Sequence, residues 1–275
     1  MRRWAGPFLS LLMLAPGNLR AETPFVVDQW RFGTRESVAA LSYCIDARDP
    51  DWPVARRIAE AVAGALLVQP KEVLIAADRA TANLGGDEID TLYRTLIERC
   101  DVYFGFKLVP EAYPGWIAIT RPYYRSTYAF VAAEPGWSAL SQLPATRAIG
   151  ATIGTSADLR LTQYLLAAGS GPHWDKYPMD SDESALRGVL RGTLGAALVW
   201  SPARWAFART EPDAARLHTL APDPLPIATA SVGAILLSRQ SFLRSSLDQA
   251  IASLTADGTI AAILHEAGFP GEPVP

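Results

Sequence analysis

The sequence predicts an α/β protein of two lobes, each a doubly wound and mostly parallel sheet, with two chain segments crossing between them as a hinge. Three observations predict it. Short apolar runs alternate with stretches whose apolar residues recur every three or four positions, the pattern of strand followed by helix. The alternation stops at Glu134-Pro135-Gly136 and then resumes. A late apolar run, Ile227 to Leu237, is long enough to return the chain to its starting half. With 275 residues, 49% of them hydrophobic, the chain can fill two cores of roughly 100 residues each.

The first residues read as an export signal. Arg2 and Arg3 precede an apolar stretch from Phe8 to Ala15, and Leu19 and Ala21 occupy the positions expected before a cleavage site. The other reading, a buried N-terminal helix, is broken by Pro16, Gly17 and Asn18. The paired arginines lack the Phe-Leu-Lys pattern of a twin-arginine signal, and no Cys lies nearby to carry a lipid. No later run reaches the roughly 18 apolar residues of a membrane span.

Strand and helix then alternate. Leu41 to Ile45 is a short apolar strand; Pro53 precedes a helix with Val54, Ile58, Val62 and Leu66 on one face; Val73 to Ala76 is a second strand. Asp87 to Glu98 is a helix and Val102 to Phe106 a third strand. This βαβαβ order implies a parallel, right-handed lobe. Tyr128 to Ala132 crosses to the second lobe. There Ile149 to Ile153 is a strand, Gly154-Thr155-Ser156 opens a helix that stops at Gly169, and Asp180 with Glu183 forms a capping box for the next helix. Leu194 to Trp200 is a buried strand, and Ser201-Pro202 reads as a cap followed by proline in the first turn. Ile227 to Leu237 returns, and helices over Ser241–Leu254 and Ile260–Glu266 close the chain. The expected division is residues 1–21 as signal, 37–131 and 233–270 as the first lobe, and 132–232 as the second.

Composition excludes some functions. The formal charge is −3, and removal of residues 1–21 takes away three arginines and no acid, leaving −6. Without a Lys/Arg cluster such a chain is a poor ligand for nucleic acid. The three histidines, His173, His218 and His265, have no metal-ligand spacing, and neither a nucleophile elbow nor a phosphate-binding glycine loop is present. The two cysteines, Cys44 and Cys100, are an even count in an exported chain, which favours one disulfide; two buried free thiols are the other reading. No cofactor is implied.

Thr120-Arg121-Pro122-Tyr123-Tyr124-Arg125-Ser126-Thr127-Tyr128 resembles the segment leading into the hinge of family 3 solute-binding proteins. More narrowly, it resembles the substrate-binding proteins associated with quinoprotein (PQQ-dependent) alcohol and methanol dehydrogenases. Leu41-Ser42-Tyr43-Cys44-Ile45-Asp46, Arg99-Cys100-Asp101-Val102, Ala197-Leu198-Val199-Trp200-Ser201-Pro202 and the closing Asp257-Gly258 to Gly268 agree with that group in order. The resemblance covers about residues 37–270. It implies a periplasmic-binding-protein-like II fold and a periplasmic protein that binds rather than catalyses. Its partners would be a small organic ligand in the inter-lobe cleft, or a periplasmic quinoprotein dehydrogenase or cytochrome c. The sequence departs from the pattern in the short loop Ala47–Trp52, over residues 76–95, and in lacking an arginine between Glu111 and Ile119. The amino-acid-binding branch holds its ligand carboxylate with an arginine there.

The ligand-binding candidates are Asp46, Tyr123, Tyr124, Arg125, Thr155, Ser156 and Trp200. Thr155 and Ser156 sit at a helix N-terminus, suited to an anion or simply to capping. Arg125 would hold a carboxylate or stack on a ring, or else make a surface ion pair. Tyr123 and Tyr124 line an aromatic cleft or pack at its edge. Trp200 stands where many solute-binding proteins place a ligand-gripping Asp, which argues for an apolar or neutral ligand or for a filled cleft; core packing is its other reading. Asp46 ends the first strand. Two rival functions are an amino-acid or organic-acid receptor of an ABC importer, and a secreted dehydratase-like enzyme, for which Asp46 and Arg125 are the only obvious pair.

Overall fold

The structure, a computed structural model, describes residues 40–75, 86–108, 113–167, 174–226 and 228–275. The predicted export signal lies outside these residues, as do Ala76, Gly169 and His173.

In the first lobe, β1 (Ala40–Asp46) runs parallel between β2 (Gln69–Ile75) and β3 (Val102–Leu108). A strand covered on both faces reads as a continuous apolar run, and six of the seven β1 residues are buried. Alternation sends Leu41, Tyr43 and Ile45 toward α1 (Trp52–Ala65), and Cys44 toward the core beneath α2 (Gly86–Glu98). Helix α1 docks through Val54, Ile58 and Val62, with Ala55, Ala59 and Ala63 allowing close approach. Cys44 and Cys100 form a disulfide, their Cα atoms 5.6 Å apart, walled by Leu96, Ile235 and Leu237. Gly105 in β3 has φ +85°, a conformation that disfavours a side chain, and its N–H donates to the Tyr123 hydroxyl at 2.7 Å.

Strand β4 (Ile117–Ile119) pairs with β10 (Thr229–Leu237), which lies antiparallel between β3 and β5 (Tyr124–Ala132). β5 is the crossing strand. Its residues 124–127 pair with β10, and 128–131 pair with β8 (Ala196–Trp200) of the second lobe. Beyond β8 come β6 (Ile149–Thr152) and β7 (Lys176–Met179), both parallel to their neighbours, and β9 (His218–Leu220) adds to β5. The main sheet path is therefore β2-β1-β3-β10-β5-β8-β6-β7. The chain crosses once along β5 and again between β9 and β10. The helices of the second lobe are α3 (Ser156–Ala167), α4 (Asp182–Leu190) and α5 (Ser201–Thr210). Helices α6 (Ser241–Ala256) and α7 (Thr259–Glu266) and a short β11 (Glu272–Pro273) return to the first, β11 pairing with β5. Gly150 in β6 is needed for packing: a Cβ there would lie 2.5 Å from Leu194 Cδ1.

Two predicted caps move by one residue. The α4 cap is Ser181, whose hydroxyl accepts from the Ser184 N–H at 3.2 Å, in place of Asp180; the Asp180–Glu183 spacing mimics the box, but Ser181 has the extended backbone a cap needs. Ser201 is the first residue of α5, and Trp200 is its cap. β5 also begins at Tyr124, four residues before the predicted start. Among the described residues, no helix is long and apolar enough to cross a membrane.

Candidate functional site

A half-buried ammonium lies where the lobes meet. Lys107 is the penultimate residue of β3, and its Nζ lies 5.2 Å from the ring centroid of Trp200, the last residue of β8. An ammonium over an indole face is attracted by the ring quadrupole, more so when desolvated. Burial alone would push Lys107 down. The carboxylates of Asp49 and Asp51, with Tyr128 and Asp182, outweigh it and hold the ammonium above the ordinary lysine value.

The carboxylates come from both lobes. Asp49 and Asp51 flank Pro50 in the turn between β1 and α1. Burial first, then repulsion from Asp51, raises Asp49 to about 7, against the opposing pull of Lys107. Asp51 caps α1 by position but not with its side chain. Its carboxylate instead accepts from the Tyr124 hydroxyl, while the other oxygen, Oδ1, is buried without a partner. Burial raises Asp51 too, opposed by Lys107 and the Tyr124 bond. Asp182, in the first turn of α4, accepts from the Thr152 hydroxyl at 2.5 Å and from the Trp200 backbone N–H at 3.1 Å. It is raised by burial and held back by these two bonds and by Lys107. The Trp200 indole N–H has no partner, and its ring packs 5.0 Å from that of Tyr128. One cation thus faces three raised carboxylates and two aromatic rings. Chemically this is a seat for an ammonium, and its spare acidity is met by protons or by a second cation.

Of the seven predicted residues, Trp200 alone belongs to this seat. Tyr124 reaches it through Asp51, and Tyr123 is fully buried, stacked 5.9 Å from Phe104. Asp46 is buried and bound by Arg48, whose Nε donates to Oδ1 at 2.9 Å. Arg125 is exposed and paired with Glu272 at 3.0 Å. The structure therefore does not bring Asp46 and Arg125 together. The Thr155 hydroxyl accepts from the Asp158 N–H at 3.1 Å and donates to the Thr152 carbonyl at 2.8 Å, so it caps α3; Ser156 is exposed. That helix start already carries an anion, Asp158, which Lys176 holds at 2.6 Å.

Sequence reasoning missed Lys107, Asp49, Asp51 and Asp182. One signal was available: Lys107 is the only charge in the run Val102–Val109. Among the described residues, no three of His, Cys, Asp and Glu gather as a metal-binding group.

Comparison with solved structures shows the fold: it is the two-lobed type II fold seen in periplasmic binding proteins. The GluR0 ligand-binding core in complex with L-glutamate matches with TM-score 0.61 and 15% identity, over 84% of this chain and 98% of that one. An ancestral arginine-binding protein bound to arginine matches with TM-score 0.57 and 15% identity, over 83% and 97%. The arginine 3rd transport system periplasmic binding protein from Legionella pneumophila matches with TM-score 0.57 and 14% identity, over 83% and 99%. At these identities the likeness is one of fold. No protein-family model and no curated protein matches the chain.

Proposed function

We propose that the chain is a periplasmic solute-binding protein that closes its lobes on a small amine-bearing solute, such as an amino acid, as the receptor of an importer. The observation that carries this reading is the ammonium seat, half built by Asp49 and Asp51 of one lobe and half by Asp182 and Trp200 of the other. The fold neighbours support it, since two of those described above are arginine-binding or arginine-transport proteins and another was solved with L-glutamate. Export through residues 1–21 belongs to this reading. So do lobes of residues 37–131 with 233–270 and of 132–232, a division supported by the change of partner strand within β5. The expected neutral or apolar ligand gives way to a cationic group, because the indole of Trp200 faces an ammonium amid carboxylates. A ligand carboxylate would lack the arginine absent between Glu111 and Ile119.

A second reading has its own support. The seat is filled by the chain's own Lys107, as in a protein that needs no free ligand. The resemblance of residues 120–128 and of the Cys44/Cys100 segments then points to an accessory of a quinoprotein dehydrogenase, or of a cytochrome c beside it.

The test is calorimetry of the purified protein and its Lys107→Met variant against arginine, glutamate, glutamine, ethanolamine and succinate. The receptor reading expects binding of amines over succinate, tighter in Lys107→Met and lost on adding Asp182→Asn. Absence of amine binding in both proteins, with co-purification of a dehydrogenase, would replace it by the accessory reading.

A further inference from the structure

A cavity lies against the crossing strand, and its chemistry is the reverse of the Lys107 seat. It has a volume of about 610 Å³ and is walled by Thr127–Phe130 of β5, one face of α5, residues near β9, and the Ala267–Pro270 segment. Its size falls in the range of small-molecule sites. Ser201, Arg204, Trp205, Ala208 and Arg209 recur at helical spacing, so one face of α5 lines the cavity, while Pro202 and Phe207 are buried elsewhere.

That face carries two guanidinium groups and no acid. Arg204 donates from Nη2 to the Leu217 carbonyl at 3.0 Å, and its Nε is buried with no hydrogen-bond partner. Arg209 lies 4.9 Å over the indole of Trp205. Among the described residues neither arginine pairs with a carboxylate, and no Asp or Glu lines the cavity. Trp205 is fixed: its Nε1–H donates to the Ala267 carbonyl at 3.1 Å, and its ring packs edge-on against Phe269, 5.2 Å between centroids.

A buried donor without an acceptor is costly, and a guanidinium matches a carboxylate in two-pronged geometry. Phe130, Leu220, Pro222 and Pro270 give the remaining walls an apolar face that suits a flat hydrocarbon body, with the hydroxyls of Thr127, Ser201 and Thr219 at intervals along it. We infer that this cavity is a second binding site, specific for a small aromatic carboxylate, with Arg204 and Arg209 on the carboxylate and Trp205 beside the ring. Its walls come from both lobes and from the strand that joins them. It shares only Tyr128 with the Lys107 seat, so the two sites take ligands of opposite charge.

The probe is benzoate, titrated calorimetrically into the full protein, with benzamide as its uncharged isostere and acetate as the anion without a ring. Benzoate is expected to bind about tenfold more tightly than either. Arg204→Met and Arg209→Met each weaken it about tenfold, and Arg204→Lys weakens it less, since charge remains but the fork is lost. Arg204→Lys also serves if Arg204→Met does not fold. In ¹H–¹⁵N spectra the indole N–H peak assigned by Trp205→Phe shifts on titration. The inference is overturned by absence of benzoate binding at millimolar concentration, by equal binding of benzamide, by insensitivity to both arginines, or by a shift at the Trp200 indole in place of Trp205.

Discussion

Replacing Asp49 with Asn removes the proton whose affinity the fold changes most legibly. Asp49 is raised from 3.8 to about 7 because its carboxylate is desolvated and faces Asp51. A raised carboxyl holds its proton in the folded state where the unfolded chain has released it. Between these two values the native state therefore binds more protons, and wild-type stability falls as pH rises through the window. The gap corresponds to roughly 4 kcal/mol at 1.36 kcal/mol per pH unit; Asp49 keeps some solvent contact, so about 2–4 kcal/mol is the working figure. The amide of the variant has nothing to ionise. The stability of Asp49→Asn minus that of wild type should thus climb by about 2–4 kcal/mol from about pH 4 to pH 8, levelling off above about 7. Urea unfolding across that range measures it, with an unchanged m-value certifying that the two proteins expose the same surface. A flat difference, or one that falls with pH, would refute the desolvated-carboxylate argument and with it the electrostatics of the seat.

Lys107→Met leaves Asp49, Asp51 and Asp182 without their cation. We expect a loss of about 1–3 kcal/mol near pH 8 that shrinks toward pH 5, because carboxylates that take up protons no longer need the ammonium; a pH-independent loss in urea melts would contradict this. The Cys44–Cys100 disulfide closes a separation of 56 residues, worth about 4 kcal/mol on the chain-entropy model. Thermal melts with and without reductant should differ accordingly, and Cys44→Ser/Cys100→Ser should melt like the reduced protein. Gly150→Ala drives a methyl into Leu194 and should cost about 1–3 kcal/mol in chemical denaturation, whereas Gly136→Ala, where a Cβ meets nothing within 4 Å, should not.

The fold was legible because its signals are local. The βαβαβ order of the first lobe, the strand ending at Trp200 and the closing helices are all read from periodicity, and the structure places each within a few residues. The strands that escaped are those without a periodic signal. β4 and β9 have three residues each, and β7 is exposed and contains Pro178, as an edge strand can. β5 hides its first residues because Arg125 interrupts the apolar run, although Tyr124 and Ser126 on either side are buried. The seat was less legible. Lys107 was missed although it is the lone charge in an apolar strand, and its partners carry no such signal: Asp49 and Asp51 flank a proline between strand and helix, and Asp182 is a first-turn acid of α4. What makes them one site is the approach of β3, α4 and β8 across the lobes, a non-local fact. The same holds for Arg125, whose partner Glu272 lies 147 residues away at the other end of the chain.

Lys107 also sets the terms on which any free amine can bind. Its ammonium is tethered to β3 of the first lobe and lies against Trp200 of the second, so it competes at a high effective concentration with a ligand in solution. Apparent affinity in wild type is then reduced by the fraction of molecules whose seat is vacant. If the seat serves a free solute, Lys107→Met must raise amine affinity by that factor, while the three carboxylates and the indole supply the same contacts as before. If the seat exists for Lys107 itself, the variant gains nothing, because the carboxylates take protons once the ammonium is gone. A single substitution thus separates a receptor from a protein that closes on its own side chain, by whether amine affinity rises or stays as it was.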